Sequence, residues 1–218
     1  MKTPDIHQLG RGGFCVVLMV LLAGCASAGY QKSEKTAATL QSSADRIERA
    51  GSQLHLAVVT LNDLVSNPQP DLCPQFKKFS DAMGNAPALT TTVRQADRDL
   101  QSRGIEQFDN WDKELAAIQN ESIRTRGQAR KGEVVAQYDA VRAACAELQR
   151  EAGPVQSDLK DVHRFLKSDL TPHGIAPLKD TITRINRLAA PLNDSANKLA
   201  ADMRALANAM SPQLVTEK

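Results

Sequence analysis

Apolar residues recur along most of this chain at alternating steps of three and four, which places them on one face of an α-helix. Ala37, Leu40, Ala44, Ile47, Gly51, Leu54, Val58, Leu61 and Val65 keep that rhythm without a miss, while Asp45, Arg46, Glu48 and Arg49 fall on the wet side. The spacing predicts a helix from about Ser33 to Ser66, stopped by Asn67-Pro68-Gln69-Pro70. A proline-rich connector runs on to Pro87. Within it, Gln75 to Met83 reads as a short helix with Phe76 and Phe79 turned inward, folded back over the end of the bundle.

A second helical segment is expected from near Pro87. Val93, Ala96 and Leu100 hold the seam, and Gly104, Phe108, Trp111, Leu115 and Ile118 continue it after two successive steps of four, a stutter. Asn120 to Arg130 has no clear seam, so the chain either turns there or crosses it as an exposed helix. From Val134 the heptad returns through Tyr138, Val141, Cys145, Leu148, Ala152, Val155, Leu159, Val162 and Leu166. Gly153-Pro154 interrupts the composition but not the phase, which favours one kinked helix. After Thr171-Pro172-His173-Gly174 the rhythm resumes from Leu178 through Ile185, Leu192, Leu199 and Leu206 to Met210, and it survives Pro191. The fold expected is all-α, an elongated antiparallel helical bundle or coiled coil that follows a cleaved signal peptide.

That leader is legible at the start. Lys2 and Arg11 precede an apolar run from Phe14 to Leu22, and Leu22-Ala23-Gly24-Cys25 closes it. These four residues resemble a bacterial lipobox, in which the cysteine is acylated and becomes the new N-terminus. The organisation expected is a lipoprotein signal peptide over 1–24, acylated Cys25 and a flexible tether over 25–35, the bundle over 36–210, and a disordered tail over 211–218. Two other readings stay open. Ala26-Ser27-Ala28 also suits an ordinary signal peptidase, which would release a soluble secreted helical protein, and an uncleaved anchor would need roughly 20 apolar residues. Several acyl chains hold a protein to a bilayer stably. Ala26, where an Asp commonly retains Gram-negative lipoproteins at the inner membrane, resembles the outer-membrane class. The expected location is therefore the outer membrane, facing the periplasm.

Removing 24 of the 218 residues leaves 194, with 25 basic and 24 acidic side chains once Lys2, Arg11 and Asp5 are gone. A net charge of +1 gives no electrostatic case for a nucleic acid partner. Aromatics make up only 4% of the chain, which favours helices over a sheet-built core.

Little in the chain suggests catalysis. His55, His163 and His173 sit beside seam positions or in a turn, and there is no Glu-x-x-His, His-Glu-x-x-His, Cys-x-x-Cys, Gly-x-Ser-x-Gly or phosphate-cradling glycine loop. No catalytic residue, cofactor or metal site is expected, and the protein reads as a non-enzyme. Cys73 and Cys145 form a candidate disulfide in a compartment that permits one, although Cys145 on an apolar stripe also suits a buried free thiol. Arg124, Arg126, Arg130 and Lys131 make a basic cluster that suits phosphate-bearing lipid or an acidic partner, or simply a solvated turn. Trp111 is a candidate partner contact, with a core position as the alternative. Lys218 resembles the C-terminal lysine through which the small helical lipoprotein of the Gram-negative envelope is joined to peptidoglycan.

Phe108-x-x-Trp111-x-x-Glu114-Leu115, and Pro154-Val155 followed by Asp161-Val162-x-x-Phe165-Leu166-Lys167-x-x-Leu170, resemble an uncharacterised family of proteobacterial helical proteins. With the shared register, the likeness covers roughly Leu40 to Met210. The resemblance implies a coiled-coil envelope protein and supplies no activity or ligand. The function expected is a structural or adaptor module, anchored to membrane lipid through Cys25, that meets an envelope protein, peptidoglycan or a second copy of itself. The alternative is a helical module that takes a small apolar or lipid ligand where the seam narrows, near Ala44 and Gly51 or near Ala189 and Ala196.

Overall fold

Two prolines in Asn67-Pro68-Gln69-Pro70 end the first helix, because each lacks an amide hydrogen and fixes φ. The computed structural model describes residues 28–84 and 88–211. The signal segment, Cys25, Pro87 and Lys218 lie outside the described residues. The helices are α1 (Ala28–Ser66), α2 (Cys73–Gly84), α3 (Leu89–Ala117), α4 (Glu121–Ser168), the single turn α5 (Pro172–Ile175), α6 (Lys179–Ala189) and α7 (Leu192–Met210). A 3-10 turn, Ala176–Leu178, joins α5 to α6. No strand occurs among the described residues, and the fold is all-α.

Cross-helix pairs define the topology. Along α1, Ser33 faces Gln107, Gln53 faces Ala82 and Asp63 faces Gln75, so partner numbers fall as α1 numbers rise. Helices α2 and α3 therefore make one interrupted column, antiparallel to α1. The next column, α4, runs back beside it, pairing Lys131 with Asp112, Arg142 with Asp97, Gln156 with Thr90 and His163 with Ser80. Helices α6 and α7 form the fourth column, with Arg184 on Asp158 of α4 and Arg204 on Asp45 and Glu48 of α1. The result is an up-down-up-down bundle of four columns.

Two expectations change here. The connector helix does not fold over the bundle end but fills the top of the second column, with Phe79 fully buried and Phe76 half-buried. A break in a column leaves helix-end groups without partners, and the flanking columns supply them. Gln53 donates its side-chain amide to Ala82 O at 2.8 Å, and Gln156 Oε1 accepts from Thr90 N and Oγ1 at 3.3 and 2.7 Å. Residues 28–35, expected as tether, are helix held against α3: Lys32 pairs with Glu106 at 2.9 Å and Gln107 donates to Ser33 Oγ at 2.8 Å.

The periodic seams face the core where the heptads place them, although Val65, Phe108, Trp111, Ile118, Leu178 and Ala189 are only half-buried. On α4, every seam residue from Val134 to Leu166 is buried, and the helix runs unbroken through Pro154, which lies on its exposed side. On α1 the buried face is wider than one seam. Thr36, Ser43, Ala50, Ala57 and Leu64, seven apart, are buried too, because α1 has neighbours on two sides. Where that face narrows, the helices meet directly. Ala44 and Ala196 are fully buried, and a Cβ added at Gly51 would lie 2.7 Å from the Ala196 Cβ. The small residues mark close approach rather than a ligand cavity. Asn62 and Asn186 exchange side-chain hydrogen bonds at 2.8 and 2.9 Å and pin the register of α1 against α6.

Candidate interaction surfaces

Helix α1 begins, α7 ends and α3 turns into α4 at one end of the bundle. Asn120 caps α4, its Oδ1 accepting from Ile123 N at 3.1 Å. The turn is Ile118-Gln119-Asn120, at the edge of the stretch without a seam, and residues 121–130 are already an exposed stretch of α4. Ser33 lies opposite Gln107 and Arg130 reaches Ala209 O near the end of α7. The last turns of α3 and the first turns of α4 therefore stand beyond the described ends of both α1 and α7 as a two-helix hairpin. Leu115, 6% exposed, holds the hairpin together by packing where Gly127 leaves room; a Cβ there would collide with it.

The basic cluster lies on this hairpin, and most of its charge is spent internally. Arg124 bonds Glu121 and Ile118 O, Arg130 bonds Glu133 and Ala209 O, and Lys131 pairs with Asp112 at 2.5 Å. Arg126 is exposed and makes no ion pair among the described residues. Three of the four cations expected to meet a partner are thus struts of the hairpin and of the α7 terminus. Trp111 is half-buried and packs on the edge of the core. It also lines a shallow cleft of about 250 Å³ with Gln107, Asn110, Glu114 and Met210. Its neighbour Phe108 meets Tyr138 edge-on, with ring centroids 5.2 Å apart.

Cys73 and Cys145 are both free. Cys73 is exposed at the far end of the bundle, while Cys145 is buried at the level of Asp97. On α4, the level of Cys73 lies beyond His163, so the two thiols are separated by roughly 30 Å of helix rise against the 7 Å limit for a bridge. The candidate disulfide is therefore not formed. Burial pushes the Cys145 thiol up to about 12, and a hydrogen bond donated to the Asp71 carboxylate raises that of Cys73.

At that far end the α1–α2 and α4–α5 connectors enclose an open cleft of about 720 Å³. Val65, Leu72, Leu170 and Ile175 line it, with Asp71 and Lys179 as the charged groups on its walls. Nearby, His163 stacks on Phe76 at 5.5 Å, meets Phe79 edge-on at 5.7 Å and bonds Ser80 Oγ at 3.0 Å. Burial lowers its pKa, and Lys167 adds to the shift. His55 and His173 are exposed. Among the described residues no group of three or more His, Cys, Asp or Glu side chains converges to hold a metal, and no helix is long and apolar enough to cross a membrane.

Exposed Ile123, 56% accessible, is a surface feature outside every heptad seam. The signal was present, since it is an isoleucine in a stretch without a seam.

An up-down-up-down helical bundle with its core filled by Leu, Val, Ile, Ala and Met defines the class of protein. Residues 23–211, which are 189 of the 218, match the family described as protein of unknown function DUF2959, and the chain belongs to that family. No curated protein and no solved structure matches the chain.

Proposed function

We propose that this protein is a lipid-anchored envelope component that acts through its helical surfaces as a structural or adaptor module, without catalysis. The observation that carries the reading is the tetrapeptide Leu22-Ala23-Gly24-Cys25, placed directly after an apolar run and directly before a bundle whose first helix is already under way at Ala28. The family match also begins at Ala23, inside that tetrapeptide. In this reading acylated Cys25 holds the protein at the outer membrane, facing the periplasm. The 48-residue α4, about 72 Å long at 1.5 Å per residue, gives the bundle its reach. An envelope protein, peptidoglycan or a second copy meets its flanks.

Replacing Cys25 with Ser tests the anchor. The variant is expected to leave the membrane fraction, and unchanged fractionation would reject the lipoprotein. Photocrosslinking in cells from Gln137 and Ala146, both exposed on α4, tests the adaptor role. A discrete heterologous protein adduct favours an adaptor, and adducts confined to the protein itself or to the wall favour a spacer. The apolar walls of the far-end cleft favour one second reading, capture of a small apolar ligand there. An environment-sensitive apolar dye that stays dark with the folded protein would count against it.

A further inference from the structure

We propose that the tip of the α3–α4 hairpin is a membrane-contact surface, seated in the phospholipid headgroup layer. The inference rests on the anchored reading above and follows from two lengths. Helix α1 is already formed at Ala28, so only Ala26 and Ser27 separate it from Cys25. Even fully extended, that link spans about 10 Å. The hairpin reaches at least as far in the same direction. Ser33 and Lys32 lie opposite Gln107 and Glu106, which puts Ala28 level with about Trp111 on α3. Asp112 pairs with Lys131, which puts the same level near Lys131 on α4. From there to the start of α4 at Glu121 is about 15 Å of helix rise.

A protein fixed by Cys25 therefore cannot hold its hairpin clear of the bilayer while standing upright. A lean towards the α3–α4 side presses the projecting hairpin further against the surface. The headgroup region adds only about 5–8 Å on each side of the hydrocarbon, so the tip reaches phosphate level. Its side chains suit that layer. Ile123 is exposed and Arg126, one turn further along α4, carries a charge with no ion pair among the described residues. An apolar side chain beside an uncommitted guanidinium matches the boundary between acyl chain and phosphate. The internal pairing of Arg124, Arg130 and Lys131 then keeps the hairpin rigid rather than serving as the lipid contact.

The test uses the full-length chain purified from membranes, with Trp111→Phe as background and one tryptophan introduced at Ile123 or, as far-end control, at Thr171. Both positions are exposed, and circular dichroism checks that each variant is folded. The probe is a vesicle of phosphatidylcholine and phosphatidylglycerol containing lipid with a headgroup nitroxide. Expected is co-flotation of both proteins, with fluorescence at least halved for Ile123→Trp and unchanged for Thr171→Trp. Equal brightness at the two positions in floating protein would overturn the inference and leave the anchor standing. Failure to float would overturn the anchor, and this inference with it.

Discussion

The contact between Gly51 on α1 and Ala196 on α7 makes a prediction whose sign is not obvious. In an isolated helix, Gly51→Ala gains about 1 kcal/mol, because alanine loses less backbone freedom. In the bundle its Cβ would sit 2.7 Å from the Ala196 Cβ, about 0.8 Å inside ordinary contact distance. Neither atom can rotate away, since each is fixed to its own backbone, so relief requires the two helices to part. Ile47 and Leu54 on α1 and Leu192 and Leu199 on α7 are all buried nearby. A gap of 0.5–1 Å costs each such contact roughly a quarter to a half of its dispersion energy, and overpacking of this kind costs about 1–3 kcal/mol. Net of the helix gain, Gly51→Ala is expected to destabilise by up to about 2 kcal/mol, or up to about 4–8 °C in Tm for a chain of this size. Ala196→Gly alone also destabilises, losing propensity and leaving a small void. The double variant moves the methyl group from one helix to the other and restores the fit, so the two changes are non-additive by at least about 1 kcal/mol. Thermal and urea unfolding followed by circular dichroism measures the cycle. A rise in Tm for Gly51→Ala, or simple additivity of the pair, would refute the close approach.

Three further expectations rest on other parts of the bundle. Of the two described cysteines, iodoacetamide should modify Cys73 alone in the folded protein, and Asp71→Asn should quicken that reaction by removing the group that raises the thiol pKa; mass spectrometry of the labelled peptides decides both. Gln156→Leu leaves the Thr90 amide and hydroxyl without their acceptor, at a cost of about 1 kcal/mol, seen as faster hydrogen exchange at the start of α3. Because the folded pKa of His163 is lowered from 6.5, the unfolded chain binds that proton more readily. The stability due to neutral His163 is thus complete above 6.5 and is lost as pH falls through that value towards the folded pKa. His163→Gln should flatten Tm against pH between 7 and 5, and an identical slope in both proteins would remove His163 as the cause.

The sequence by itself determined the all-α class, the buried face of nearly every helix and the stops at Asn67-Pro68 and Thr171-Pro172. A heptad records which side of a helix is dry, and proline records where backbone bonding fails. Both are local properties, and the unbroken seam of α4 through Pro154 shows how far they reach. Tertiary structure alone decided which columns are neighbours and at what register. The same apolar pattern fits a short helix over the bundle end or in line with α3, and the choice was made by where Phe79 could be buried and where Gln53 and Gln156 could satisfy the broken ends. Register also decided the charged surface. Glu121 and Glu133 meet Arg124 and Arg130 three residues away on α4 itself, but Asp112 and the Ala209 carbonyl reach Lys131 and Arg130 only through packing. It parted Cys73 from Cys145 along the bundle axis, a distance that spacing in sequence does not encode. The overhang of the α3–α4 hairpin likewise follows from the relative heights of helices that are far apart in the chain, which no single helix's periodicity contains.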